Sequence, residues 1–313
     1  MILNDKYWNM YYNFWGDWCA NWFKAREGNN SAITEEKNNV FLNARGGNDL
    51  YLDELPEPYL GRPSEGVGAV FLNLNPGMAH PNERSKFYSC KDKEGWLIRE
   101  FIRCKCKYSD YLTKWSPLNP DLRGHDPEFC GVSWWQGNNK KIVGGRMNWV
   151  RRIYGNNNLC PSRVFALEVC PYHSKKWRLN LDDNLMKDFI VQNVFMPALT
   201  AVYENRLPYA IAVGRPIDRL LADKYVQKQL NFRHLTSWKN NGILEWPQKN
   251  QGNSINRIFN LYTFNPVDTF DTRVNILVTY APGGNTTPAN SFSQIEDEIR
   301  EYANKLNIKK INK

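Results

Sequence analysis

The chain has 313 residues, 14% of them aromatic with 12 tryptophans, and a formal charge of +9 at pH 7. No run of about 18 apolar residues occurs, which excludes a transmembrane helix and a membrane partner built on one. The basic surplus suits a polyanion held through phosphate neutralisation and counterion release, and it suits a basic enzyme without such a partner equally well.

The opening residues, Met-Ile-Leu-Asn-Asp-Lys-Tyr-Trp, lack the charged n-region and apolar h-region of a signal peptide, so a cytoplasmic protein is expected. Residues 1–60 carry Trp8, Tyr11, Tyr12, Phe14, Trp15, Trp18, Trp22 and Phe23, the density of a helical extension packed on a core. Asn- and Gly-rich stretches at 27–30 and 43–48 read as loops. The proline-rich run 55–63 leads into the first strand of an α/β domain expected over 61–313.

Apolar runs of strand length fall at 68–74, 164–170, 209–213 and 274–280. Between them lies helical periodicity at 94–103, 146–154, 184–204 and 216–230. Strands rich in Val, Ile and Leu that alternate with helices predict a mostly parallel sheet covered on both faces. Residues 231–272 hold no clear element and read as an insertion. Ser291 or Ser293 caps a last predicted helix with an apolar stripe of Ile295, Ile299, Tyr302 and Leu306.

Seven cysteines are an odd number in a large chain, which argues for reduced thiols. Cys90, Cys104, Cys106, His125 and Cys130 cluster in sequence and have the residue types of a zinc or iron–sulfur site. No C-x2-C pair accompanies them, and buried structural cysteines are commoner. No metal and no cofactor is therefore expected.

Two strand-to-turn transitions stand out. Ala69-Val-Phe-Leu-Asn73-Leu-Asn75-Pro76-Gly77 ends a buried strand in an amide, a proline and a glycine. Val274-Asn-Ile-Leu-Val-Thr-Tyr-Ala281-Pro282-Gly283-Gly284-Asn285 has the same design. In open α/β sheets the carboxyl edge of the strands is where ligands bind, and two such loops can meet over one pocket.

The order of short motifs resembles the uracil-DNA glycosylase superfamily, closest to its single-strand-selective monofunctional branch. Leu74-Asn75-Pro76-Gly77 is similar to that branch's Met-Asn-Pro-Gly, and Gly144-Gly-Arg146-Met-Asn-Trp149 to its Ser-Gly-x-Arg-x-Trp helix start. Val169-Cys170-Pro171 resembles Tyr-Cys-Pro, and Val213-Gly214-Arg215 resembles Val-Gly-Arg. Pro282 with Ala289-Asn290 is similar to the Pro-Ser-Pro…Ala-Asn loop. The likeness spans about 65–308. It implies a three-layer α/β/α fold around a mostly parallel four-stranded central sheet. It also implies a monofunctional N-glycosyl hydrolase that flips a base out of DNA, leaves an abasic site, and needs no obligatory protein partner.

By that resemblance Asn75 is the catalytic residue, holding the attacking water at the sugar C1′. Phe87 or Tyr88 stacks on the flipped base, and Asn73, Pro76, Gly77 and Ala281 line its pocket. The loop Gly283-Gly284-Asn285-Thr286-Thr287 forms the minor-groove wedge, with Pro282 a further DNA contact, and it lacks the bulky apolar plug that such wedges often carry, which favours a single-stranded or easily opened substrate. Arg84, Lys86, Arg146, Arg151 and Arg152 are candidate phosphate contacts; a solvated basic face is the alternative for each.

Two departures bear on the target base. Glu168 stands where the family keeps the Asn that reads uracil. An ionised glutamate only accepts hydrogen bonds, so it repels uracil O4 and suits the exocyclic amine of cytosine. A burial-raised pKa would also let it supply the proton that makes cytosine a better leaving group. The His-Pro-Ser of most members is here Ala281-Pro282-Gly283, which removes a donor that helps uracil depart; His173 and His234 are the available substitutes. These departures point to a cytosine-type base, with a modification that marks foreign DNA in an antiviral setting as the expected target. The alternatives are a uracil or mismatch repair glycosylase with Glu168 turned away, and a catalytically silent single-strand or flipped-base binder.

Overall fold

Tight apolar runs set the architecture. The computed structural model describes residues 5–52, 56–61, 66–76, 135, 146–232, 238–245, 258–266 and 274–280. In chain order these form α1 (Asp5–Arg26), α2 (Asn30–Lys37), β1 (Leu50–Tyr51), β2 (Tyr59–Leu60), β3 (Ala69–Asn73) and α3 (Arg146–Tyr154). Then follow β4 (Val164–Glu168), β5 (His173–Ser174), α4 (Asn184–Ile190), α5 (Met196–Glu204) and β6 (Ala210–Val213). The last are α6 (Arg215–Ala222), α7 (Lys224–Phe232), β7 (Trp238–Glu245), β8 (Ile258–Pro266) and β9 (Val274–Tyr280).

The fold is mixed α/β. Its main sheet has seven strands in the order β2-β4-β3-β6-β9-β8-β7. The four predicted strands form its parallel centre, β4-β3-β6-β9, and every residue of β3, β4 and β6 is buried. That burial on both faces is why these strands read as continuous apolar runs. β2 joins one edge antiparallel to β4, and β8 joins the other antiparallel to β9.

The segment 231–272 departs from expectation. It supplies the end of α7 and two long strands, β7 and β8, which extend the sheet as an antiparallel pair. Its Asn and Gln content hid the pattern, because an edge hairpin needs apolar side chains on one face only. Asp218 of α6 fastens it: Asn260 Nδ2 (2.8 Å) and the hydroxyls of Tyr262 (2.7 Å) and Tyr280 (3.0 Å) all donate to its carboxylate.

The predicted helix 216–230 is two helices. Asp223 breaks it by taking an extended backbone and accepting at Oδ1 from the amides of Tyr225 and Val226. The predicted helix 184–204 is α4 and α5 joined by a π-helical turn, Val191–Phe195. Pro197, lacking an N–H, cannot continue the α ladder there. The predicted helix 94–103 and the last helix lie outside the described residues.

Neighbouring residues of a strand face opposite sides of the sheet. Phe165 of β4 meets Trp8 and Tyr11 of α1, and Trp8 Nε1 donates to Glu204 of α5 at 2.8 Å. Phe71 of β3, whose register partner is Ala166 rather than Phe165, faces the other way, toward Trp135 and α3. The N-terminal aromatics thus complete the core: Trp15 is 1% exposed and packs against Phe189 of α4. No helix among the described residues is long and apolar enough to cross a membrane.

Candidate active site

Chain order fixes where a ligand site should lie. After β3 the chain places β4 on one side, and β6 then enters on the other, so the direction of winding reverses beside β3. A crevice opens at the carboxyl ends of strands at such a reversal. Asn73 ends β3, Glu168 ends β4, and the two are direct partners in the parallel register. Their side chains share one face with Phe71, and Asn73 Nδ2 donates to Glu168 Oε1 at 2.9 Å. Beyond the strand ends the backbones stay paired, Val169 N to Asn73 O and Cys170 N to Leu74 O, each at 2.9 Å.

Glu168 is 4% exposed, and its Oε2 has no hydrogen-bond partner among the described residues. Burial pushes its carboxyl well above the ordinary 4.5. The hydrogen bond from Asn73 pulls it down, the carboxylate of Glu57 pushes it up, and the guanidinium of Arg146 pulls it down again. Desolvation dominates because an uncompensated buried charge costs several kcal/mol. The neutral acid is therefore favoured, and it both donates and accepts where the ionised form only accepts.

Asn75 is half-buried just past β3, followed by half-buried Pro76. Its Nδ2 donates to Ser174 Oγ at 2.8 Å, and that hydroxyl donates to Lys176 O at 3.1 Å. Because the serine proton goes to Lys176, Ser174 must accept from the amide nitrogen. That fixes the orientation of the Asn75 amide and leaves Oδ1, an acceptor with no partner among the described residues, on the opposite side. Ser174 is itself held in β5, opposite Leu50 of β1.

A third loop closes on the same edge. Gly214, directly after β6, has φ +125°, and a Cβ there would lie 2.9 Å from Leu74 Cδ1. Only glycine lets the turn into α6 pass so near the residue between Asn73 and Asn75.

The structure brings Asn73, Asn75, Pro76 and Glu168 to this edge. Arg146 is half-buried, its guanidinium 5.3 Å from the Phe71 ring centre and on the Glu168 side. Arg151 turns its Nε to Leu159 O at 2.9 Å. Both arginines make contacts within the protein. Gly77, Arg84, Lys86, Phe87, Tyr88, Ala281, Pro282, Gly283, Gly284, Asn285 and His234 lie outside the described residues, as do Cys90, Cys104, Cys106, His125 and Cys130. Among the described residues no group of three or more His, Cys, Asp or Glu could hold a metal ion, and none of Cys19, Cys160 and Cys170 is in a disulfide.

Sequence reasoning missed Glu57 and Ser174. Glu57, 9% exposed, lies 3.9 Å from His173 Nε2, and its amide donates to Pro171 O at 2.8 Å. His173 is thus buried beside a carboxylate at the start of β5. Nothing in Pro56-Glu57-Pro58 announces an inward acid, while Ser174 had one weak signal, its place just after the Val169-Cys170-Pro171 turn. A cavity of about 270 Å³ lies elsewhere, against the N-terminal helices, lined by Trp18, Trp22, Tyr172 and Phe189 with Glu35 and Asn39. Comparison with protein-family models, with curated proteins and with solved structures finds no match to this chain.

Proposed function

We propose that this protein is a monofunctional DNA glycosylase of the uracil-DNA glycosylase type, acting on a flipped cytosine-type base, with a modified cytosine as its target. The observation that carries the proposal is the buried Asn73–Glu168 pair, its second carboxyl oxygen without a partner among the described residues, on the same sheet edge as an Asn75 whose amide nitrogen is held by Ser174.

In the proposed reaction neutral Glu168 donates its Oε2 proton to N3 of the flipped base. The carboxylate so formed is supported by Asn73 and Arg146 and accepts from N3–H and the exocyclic amine. The C1′–N1 bond then breaks with its electron pair going to the base, which departs neutral because N3 carries the added proton. Water accepted by Asn75 Oδ1 adds to C1′ and releases a proton to solvent, from which Glu168 is reprotonated. The products are the free base and an abasic site. Excision of unmodified cytosine would damage the host's own DNA, so a modification that marks foreign DNA is the target that fits, in an antiviral role.

The favoured neutral state of Glu168 supports a second reading. A protonated carboxyl carries one donor and one acceptor, as a carboxamide does, and can therefore pair with uracil O4 and N3–H. Oligonucleotides carrying cytosine, 5-hydroxymethylcytosine, glucosylated hydroxymethylcytosine or uracil, each followed by alkali-labile scission, separate the two. Scission at the modified cytosines, lost in Asn75→Ala, is the expected result. Scission at uracil alone makes the protein a repair glycosylase, and tight binding without scission makes it a silent flipped-base binder.

A further inference from the structure

The cations expected to hold phosphates near the site, Arg146 and Arg151, are half-buried and engaged with Phe71 and Leu159 O. A different basic element stands beside Asn75. Directly after Ser174 the chain runs Lys175-Lys176-Trp177-Arg178, with both lysines exposed and Trp177 half-buried. No Asp or Glu occurs from 169 to 181. The turn is bonded to the candidate catalytic loop through one side chain: Asn75 Nδ2 to Ser174 Oγ at 2.8 Å, and Ser174 Oγ to Lys176 O at 3.1 Å. Its two ends are held, since Ser174 pairs with Leu50 across β5 and β1 and Arg178 reaches Asp49 at 3.4 Å. It is therefore a presented turn whose position is tied to that of Asn75.

We propose that Lys175, Lys176 and Trp177 form the contact that grips single-stranded DNA beside the reacting nucleotide, the ammonium groups on phosphates and the indole stacked on a flanking base. Two flexible cations next to one ring are the combination that tracks a sugar–phosphate backbone while tolerating any base. The proposal takes its ligand from the DNA reading above, but binding can be measured without excision.

The test is fluorescence anisotropy of a labelled, unmodified single-stranded oligonucleotide with the full chain, between about 50 and 200 mM salt. Lys175→Ala/Lys176→Ala should lower the slope of log affinity against log salt by about 1.4, two phosphate contacts on a single strand. Lys175→Arg/Lys176→Arg should restore it. Trp177→Ala should weaken binding about 5- to 150-fold, with Trp177→Phe close to wild type. The proposal is overturned if the double alanine variant keeps the wild-type slope with its circular dichroism unchanged. It is overturned equally if removing the exposed Lys24 and Lys37 lowers the slope as much, or if heparin binding falls in the same proportion. Scission with unaltered slopes would remove this contact and leave the glycosylase standing. Altered slopes with no scission at any base would do the reverse.

Discussion

Replacing Glu168 with glutamine tests the electrostatics on which the site depends. Glutamine keeps an oxygen to accept from Asn73 Nδ2 and places an amide NH2 where Oε2 has no partner among the described residues. Shape is preserved and the titration is removed. In the folded protein the Glu168 carboxyl is raised above its ordinary 4.5, chiefly by burial. A raised folded-state value means that the folded chain holds the proton more tightly than the unfolded chain. Its stabilising contribution is complete below about 4.5 and is lost as pH climbs through the folded-state value. Over that interval the slope is about 1.4 kcal/mol per pH unit, and at 4% exposure solvent screening does little to reduce it. Urea denaturation of wild type and Glu168→Gln at intervals from pH 4 upward should show the wild type losing stability relative to the variant at that rate, then levelling off. Parallel curves would mean that Glu168 ionises at its ordinary value, and the neutral-acid role would have no basis.

The other predictions concern positioning and packing. Ser174→Ala frees the Asn75 amide to rotate; excision should fall about 10-fold or more while denaturation midpoints move by about 1 kcal/mol or less, and full activity would show that Asn75 needs no such anchor. Gly214→Ala forces a side chain into a φ of +125° and against Leu74; a loss of about 1–3 kcal/mol by chemical denaturation is expected, and a neutral result would mean that the turn is not constrained. Asp218→Ala strips the acceptor shared by Asn260, Tyr262 and Tyr280. The cost should be about 3 kcal/mol, with amide exchange rising first in β7 and β8. Trp15→Ala should cost about 3–5 kcal/mol, because its 1%-exposed ring sits between α1 and α4; a loss below about 1 kcal/mol would make the N-terminal helices an accessory layer.

What could be read from the sequence follows from how locally each feature is encoded. The parallel strands were legible because burial on both faces demands uninterrupted apolar residues, and their ends were legible because Asn75-Pro76 and Val213-Gly214 cannot extend a strand. β7 and β8 were not, since an edge hairpin needs apolar residues on one face only and Trp238–Glu245 carries Lys, Asn and Gly among them. The site divides along the same line. Asn73 and Glu168 could each be singled out, but their hydrogen bond depends on the zero-offset register of β3 and β4, a long-range fact that no local pattern contains. Arg146 shows the cost of reading residues one at a time: an arginine at a helix start reads as a surface cation until the aromatic ring of Phe71 and the acid of Glu168 are found on its side of the sheet. The same register sets the chemistry of Glu168. A carboxyl at the end of β4 is forced beside an amide donor at the end of β3 and out of water, so its environment holds the proton and leaves the acid with both a donor and an acceptor. If that is so, target choice rests less on the residue type at 168 than on its proton. Excision of cytosine-type bases should then fade as pH rises through the value at which Glu168 ionises, and Glu168→Gln, with no proton to give N3, should lose it at every pH.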